Sequence, residues 1–216
     1  EKHLIPLLGV WNSFDEINFD ILPDQFVLKC THDSEGLVIC KNKSKFDVIA
    51  AKKKINRCLR HNYYYIGREW PYGQVKPRII AEQYLVDEFG YELKDYKFFC
   101  FDGEPKVIYV ATDRQTETKF DYFDMDFNWL DIRQHYGNNP NRPRKPDTFD
   151  EMVRLARMLS AGYPHIRADF YSVNGRVSFG ELTLYHFSGF QPFIPDKWDR
   201  IFGDWLKLPP INRVYK

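Results

Sequence analysis

Two carboxylates and an arginine stand where this chain could do chemistry. They lie in HIRADFYSVNGRVSFGELTLYHFSG, residues 165–189, where two alternating runs, 166–172 and 177–184, flank Asn174-Gly175, a strong hairpin signal. Alternation puts Arg167, Asp169 and Tyr171 on one face of the first run, with Ile166, Ala168 and Phe170 on the other. On the second run it groups Phe179, Glu181 and Thr183 against Gly180, Leu182 and Leu184. Carboxylates on neighbouring strands repel unless a cation lies between them or one holds a proton. Register decides whether they cooperate. A two-residue turn would pair Asp169 with Gly180 and send Glu181 to the opposite face. A three-residue turn with a glycine-type bulge would set Asp169 opposite Glu181 and Arg167 opposite Thr183. A metal-binding pair therefore predicts one extra residue in the loop. Cross-strand neighbours lie about 4.5–5.5 Å apart at Cβ, close enough to share Mg²⁺ through oxygen ligands. The alternative is a surface hairpin whose polar face is solvated.

The elements that must position this hairpin are a mixture of short strands and helices. An apolar stretch at 4–11 runs into acidic turns at 15–16 and 20–24. Residues 26–30 and 37–40 read as strands around the loop Thr31-His32-Asp33-Ser34-Glu35-Gly36. Such a loop can close over phosphates through its backbone N–H groups, with Lys29 as a point charge, although a strand lysine before a turn is also an ordinary solvated edge residue. Residues 44–61 are expected to be helical, with Ser44 as N-cap and Asp47 completing a capping box. Val48, Ala51, Ile55 and Leu59 form the apolar stripe of that helix, and Lys52-Lys53-Lys54 read as a solvated face. Further strands follow at 78–84, 95–101 and 106–113, the last two joined at Asp102-Gly103. Asp95, Lys97 and Phe99 share one face of their strand. Another hairpin is expected around Asp124-Met125-Asp126, and 137–147, rich in Asn and Pro, is a loop. Thr148 and Glu151 suggest a second capping box opening a helix that ends at Gly162, and 195–206 reads as a short amphipathic helix.

Composition narrows the function classes. A chain of 216 residues with 44% apolar content can bury a substantial core. Lys+Arg 31 against Asp+Glu 30, with no basic tail, argues against nucleic acid as the partner. No apolar run approaches the length of a membrane span. Cys30, Cys40, Cys58 and Cys100 have neither zinc-ligand nor C-x-x-C spacing and read as reduced thiols, which points to the cytoplasm.

In this order the motifs resemble the ATP-grasp superfamily, most closely the TupA-like ATP-grasp family of bacterial polysaccharide gene clusters, named for teichuronopeptide biosynthesis. The resemblance runs from LIPLLGVWNSFDEINFDILPDQFVLKCTH through PRIIAEQYL and DYKFFCFDGEPKVI to FGELTLYHFSGF and DWLKLP. It implies an α+β ATP-grasp fold whose two α+β lobes clamp the nucleotide between antiparallel sheets. Residues 1–85 would form the N-terminal lobe, and 86–216 the C-terminal lobe with the metal hairpin at 165–185. It also implies ATP and Mg²⁺ as cofactors and a carboxylate activated as an acyl phosphate, which an amine or other nucleophile then attacks. On this pattern Lys29 contacts the nucleotide phosphates, and Thr31, His32, Ser34 and Gly36 belong to the loop that covers them. Glu82, Gln83 and Leu85 read adenine at the hinge, Asp95 takes the ribose hydroxyls and Lys97 reaches phosphate. Asp169 and Glu181 match the magnesium ligands, with Thr183 where many members have Asn, and Arg167 matches the arginine that steadies the transferring phosphoryl group. Two departures stand out: Asp33 and Glu35 replace loop glycines, and His186-Phe187 replaces a Pro-Gly-like pair. In the superfamily a basic residue and a further domain usually come earlier, so an upstream segment is expected.

The function so implied is an ATP- and Mg²⁺-dependent carboxylate–amine ligase in surface-polysaccharide assembly. Its acceptor would be a glycan or amino acid carrying a carboxylate or amine, and its partners other assembly enzymes. A glycosyltransferase is the alternative, on the D-x-D of Asp124-Met125-Asp126, and a non-catalytic nucleotide- or glycan-binding relative is another. Retention of Lys29, Glu82, Asp95, Arg167, Asp169 and Glu181 together favours an enzyme.

Overall fold

The computed structural model describes residues 2–34, 36–86, 93–114 and 116–210. The chain divides into two compact units, Leu4–Leu85 and a larger one of Glu1–His3 with Val86–Lys216.

In the smaller unit, β1 (Leu7–Trp11), β2 (Phe26–Cys30), β3 (Leu37–Cys40) and β4 (Ile79–Gln83) form an antiparallel sheet in the order β1-β4-β2-β3. Alternation decides its faces. Phe26, Leu28, Ile79 and Ala81 point into a core closed by Ala51, Ile55 and Cys58 of α1 (Val48–Leu59). Lys29 and Glu82 are left on the open face. Helix α1 begins later than the sequence suggests. Ser44 lies in a 3-10 turn, and Asp47 is the N-cap, its carboxylate accepting from Ala50 N at 2.8 Å. A short α2 (Tyr64–Gly67) follows.

The larger unit holds a six-stranded antiparallel sheet of β5 (Asp95–Phe101), β6 (Glu104–Thr112), β7 (Lys119–Phe123), β8 (Trp129–Leu130), β9 (His165–Val173) and β10 (Arg176–Thr183), in the order β10-β9-β5-β6-β7-β8. One face packs on α3 (Phe149–Ser160): Met152, Leu155 and Ala156 meet Phe98, Ile108, Ala168 and Phe170. The opposite face has two halves. Phe99, Phe101, Tyr109 and Tyr122 are covered by Phe193 and by Phe202 of α4 (Lys197–Trp205). Asp95, Lys97, Arg167 and Asp169 form the other half. Thr148 stands at the N-cap position of α3 but makes no capping bond; its hydroxyl donates to Ser172 Oγ at 2.8 Å, so the expected capping box is absent. His3 joins this unit through β10: Phe179 N donates to His3 O at 2.7 Å, and His3 Nδ1 to Val177 O at 3.1 Å.

The hairpin reaches the Asp169–Glu181 pairing by a different route from the one the turn predicts. Asn174 and Gly175, both at positive φ, make a plain two-residue turn, pairing Val173 with Arg176 and Phe170 with Phe179. The extra residue is Gly180, a bulge within β10, beyond which Asp169 pairs with Glu181 and Arg167 with Thr183. The bulge also separates Phe179, packed on the α3 side against Phe170, from Glu181 on the polar side, although alternation would give them one face. Glycine is needed there for proximity: a Cβ would stand 3.2 Å from both Asp169 O and Tyr171 Cε2. Gly180→Val is therefore expected to cost about 1–3 kcal/mol of stability, read from denaturant unfolding, whereas Gly137→Val, with open space around it, should be near neutral. Equal effects would refute this account of the bulge.

Candidate active site

Strands β5, β9 and β10 deliver the polar cluster because their registers align it. Lys97 pairs with Asp169, and Asp169 with Glu181, so side chains from three adjacent strands share one face. The cation that lets two carboxylates coexist is Arg167. Its Nε donates to Asp169 Oδ1 at 2.8 Å and its Nη2 to Asp169 Oδ2 at 2.7 Å. Nη2 also reaches Glu181 Oε1 at 3.0 Å and Thr183 Oγ1 at 2.8 Å, and the Thr183 hydroxyl donates to Glu181 Oε1. Tyr109, opposite Lys97 on β6, lies with its ring 5.8 Å from the guanidinium carbon.

Lys97 Nζ donates to Asp169 Oδ2 and lies 3.7 Å from Asp95 Oδ2. Arg114, just beyond β6, pairs with the same Asp95 oxygen. Three cations, Arg114, Lys97 and Arg167, thus alternate with three carboxylates, Asp95, Asp169 and Glu181. Burial alone would raise the Asp169 pKa, but Arg167 and Lys97 outweigh it and hold the carboxyl well below the usual range. Burial likewise opposes the charge on Lys97, and Asp169 with Asp95 reverses that. One oxygen of Asp95, Oδ1, is buried without a hydrogen-bond partner among the described residues.

His186 buttresses this ladder. Its Nδ1 accepts from Arg167 Nη1 at 2.6 Å, and its Nε2 donates to Gln134 Oε1 at 2.5 Å, while Gln134 Nε2 donates to Gln191 O. The histidine is therefore a neutral, packed positioning group. Burial, then Arg167, pushes its pKa well below the usual value.

In the smaller unit, Lys29 Nζ meets Glu82 Oε2 at 2.5 Å on the open face of the sheet. The loop after β2 is anchored more than its sequence suggests. Thr31 Oγ1 donates to Lys76 O at 2.8 Å and accepts from Arg78 N at 3.0 Å, and Thr31 N donates to Arg78 O. His32 is buried, its Nε2 shared between Cys58 O and His61 O. These two side chains thus tie the loop down; Ser34 remains exposed. Gly36 O accepts from Cys30 N at 2.8 Å, and a Cβ at Gly36 would fall 2.6 Å from Cys30 Cβ, so only glycine closes the loop. Asp33 turns inward to the Cys58 thiol, whose pKa burial and then Asp33 push up to about 11. Glu35 lies outside the described residues. Gln83 N donates to Pro6 O at 3.0 Å, and Leu85 is half-buried at the end of the unit.

Arg114 and Gln134 were invisible to motif reading because both sit outside patterned elements, and Tyr109 was hidden by a register shift between Phe99 and Cys100, since a plain extension from Asp102-Gly103 would set Ile108 opposite Lys97. Among the described residues no group of three or more His, Cys, Asp or Glu side chains gathers to hold a metal. Oxygen donors are nevertheless present in Asp169, Glu181 and Thr183, which suit Mg²⁺. Asp124 is consumed by its own loop: Asp126 N, Asn128 N and Asn128 Nδ2 all donate to it. That is the pattern of an acidic turn and weakens the D-x-D alternative.

The family model described as TupA-like ATPgrasp matches residues 1–207. No curated protein sequence matches the chain. Among solved structures, D-alanine–D-alanine ligase from Bacillus anthracis complexed with ATP is similar at 11% identity and a TM-score of 0.46, covering 84% of this chain and 47% of the ligase. The D-alanine–D-alanine ligase of Helicobacter pylori gives 14% and 0.44, covering 86% and 50%. The ATP-grasp ligase PsnB, complexed with minimal precursor, Mg and ADP, gives 13% and 0.45, covering 87% and 47%. The chain spans about half the length of these structures.

The buried neutral state of His186 has a pH consequence. Unfolded, it would take up a proton near pH 6.5, so below that value the unfolded state binds more protons and stability falls with falling pH. His165, also lowered by burial, adds in the same sense. The thermal midpoint should drop as pH falls below about 6.5, and the drop should be shallower in His186→Gln; an unchanged slope would refute it.

Proposed function

The chain belongs to the TupA-like ATP-grasp family, and on that premise we propose that it is an ATP- and Mg²⁺-dependent carboxylate–amine ligase of bacterial surface-polysaccharide assembly. The observation that carries this reading is the alternating ladder of Arg114, Lys97 and Arg167 with Asp95, Asp169 and Glu181. Phosphoryl transfer needs positioning and charge neutralisation more than a protein nucleophile, and the ladder supplies both. A substrate carboxylate oxygen attacks the γ-phosphorus, the bond to ADP breaks, and an acyl phosphate forms. An amine then attacks the acyl carbon and phosphate leaves.

Asp169, Glu181 and Thr183 would hold Mg²⁺, which supplies charge neutralisation across the phosphates when bound. Glu181, its side chain 56% exposed, is the accessible ligand; Asp169, 1% exposed, is already bonded to Arg167 and Lys97. A bare dication would meet carboxylates whose charge is spent on those cations. Phosphates change this, because Arg167 and Lys97 can turn toward them and release carboxylate oxygens. Arg167 then steadies the transferring phosphoryl group, while Lys29, released from Glu82, meets the nucleotide phosphates. The unpaired Asp95 Oδ1 fits a donor such as a ribose hydroxyl.

Calorimetric titration tests this. ATP with Mg²⁺ is expected to bind, Mg²⁺ alone to bind far more weakly, and both Lys29→Ala and Glu181→Gln to weaken Mg²⁺-dependent ATP binding by at least about tenfold, roughly one charge-assisted contact. Binding of a uridine-diphosphate sugar in place of ATP would transfer the assignment to a glycosyltransferase, and binding of ATP without turnover of any carboxylate–amine pair would favour a non-catalytic relative.

A further inference from the structure

Helix α1 turns a cationic face to solvent. Its core side is Ala51, Ile55 and Cys58. At 3.6 residues per turn, Ile49, Lys53, Arg57 and Arg60 fall opposite that side. Lys53, Lys54, Arg57, Arg60 and His61, with Ala50, line a groove of about 530 Å³ that contains no carboxylate.

Several cations elsewhere are paired, Lys29 with Glu82, Lys52 with Asp15, Lys119 with Glu117, Lys145 with Asp150 and Arg157 with Glu104, and none of the unpaired ones lines a groove of this kind among the described residues. Lys53, Lys54, Arg57 and Arg60 make no ion pair among the described residues. Like charges three and four apart on a helix repel, so Lys53 with Arg57 and Arg57 with Arg60 work against the helix that carries them. The helix dipole accounts for Arg57 and Arg60 near the C-terminus but not for Lys53 and Lys54. In a chain of net charge +1, such a face is a local concentration of positive charge.

We infer that this face of α1 docks on an anionic phospholipid surface. Charge alone would suit any polyanion; exposed apolar groups on the same helix face and in the segment that follows it select the bilayer. Ile49 heads the same face at 83% exposure, and the segment directly after the cations exposes Tyr65 and Ile66 at 68% and Trp70 at 54%. Cations on a face headed by an exposed branched side chain, and followed along the chain by exposed aromatic and branched ones, match a headgroup interface, where the charges meet anionic lipid and the apolar groups enter its boundary. A soluble polyanion offers those groups nothing.

The test is vesicle flotation of the whole chain. Vesicles of phosphatidylcholine alone are compared with vesicles of equal parts phosphatidylcholine and phosphatidylglycerol, and polygalacturonate serves as a soluble polyanion. The wild type should float with the mixed vesicles only, less so as salt rises. Lys53→Glu/Arg57→Glu should weaken this by at least about 25-fold, from roughly fivefold per cation. Lys106→Glu/Arg200→Glu, an equal charge change on exposed residues of the larger unit, should leave it intact. Ile49→Ser should weaken vesicle binding without altering any binding to polygalacturonate. No flotation of the wild type, equal losses in both double variants, or binding to polygalacturonate alone would overturn the inference. The wild-type salt dependence reads the electrostatic part should the double variant fail to fold.

Discussion

A guanidinium presents N–H groups in a fixed plane, and Arg167 uses that plane to reach two carboxylates, a threonine hydroxyl and an imidazole at once. Lysine, with a single ammonium on a flexible stem, could not bond all four in one plane. The neighbouring arrangement follows from this. Asp169 can be buried because both of its oxygens are bonded, and burial in turn strengthens the bonds by removing competing water. Lys97 can be buried because Asp169 is. His186 must stay neutral to accept from Arg167, so its other nitrogen carries the proton and needs Gln134. A site built this way is charged and buried at its centre, with Asp169, Arg167 and Lys97 largely shielded, yet balanced.

Strand β5 shows how one element serves both chemistry and packing. Asp95 and Lys97 begin its polar face, and Phe99 and Phe101 continue the same face into an aromatic cluster with Phe193 and Phe202. The back of the strand, through Tyr96, Phe98 and Cys100, belongs to the α3 core throughout. The charged end of the sheet is thus braced by apolar contacts on its reverse and along its length, which keeps the charged side chains from relaxing toward solvent.

Much of this was legible in the sequence, for reasons that also explain what was not. Alternation put Lys97 beside Asp95 on one face, because a strand's period leaves no other choice. Asn174-Gly175 announced its turn. The bulge stayed hidden, since a glycine inside an alternating run has no local mark that separates a bulge from an ordinary strand position; only the close approach of the Asp169 carbonyl decides it. Ser44 and Asp47 are both good caps three residues apart, and the second caps the helix because Asn42 Oδ1 holds Ser44 in a preceding 3-10 turn. Thr148 found an acceptor on β9 instead of its own helix. Arg114 and Gln134 arrive from irregular segments, where residue spacing says nothing about direction.

Strand β10 is an outer strand of its sheet, and outer strands carry main-chain groups that invite pairing with another polypeptide. Val177 and Phe179 point such groups away from β9, and His3 meets both, accepting from the Phe179 amide and donating to the Val177 carbonyl. The residues that cap this edge lie beside the bulge that aims Glu181. Protection against edge-to-edge self-association is therefore built into the strand that holds a proposed ligand, and a change that frees His3 would be felt as loss of solubility as well as loss of order around Glu181.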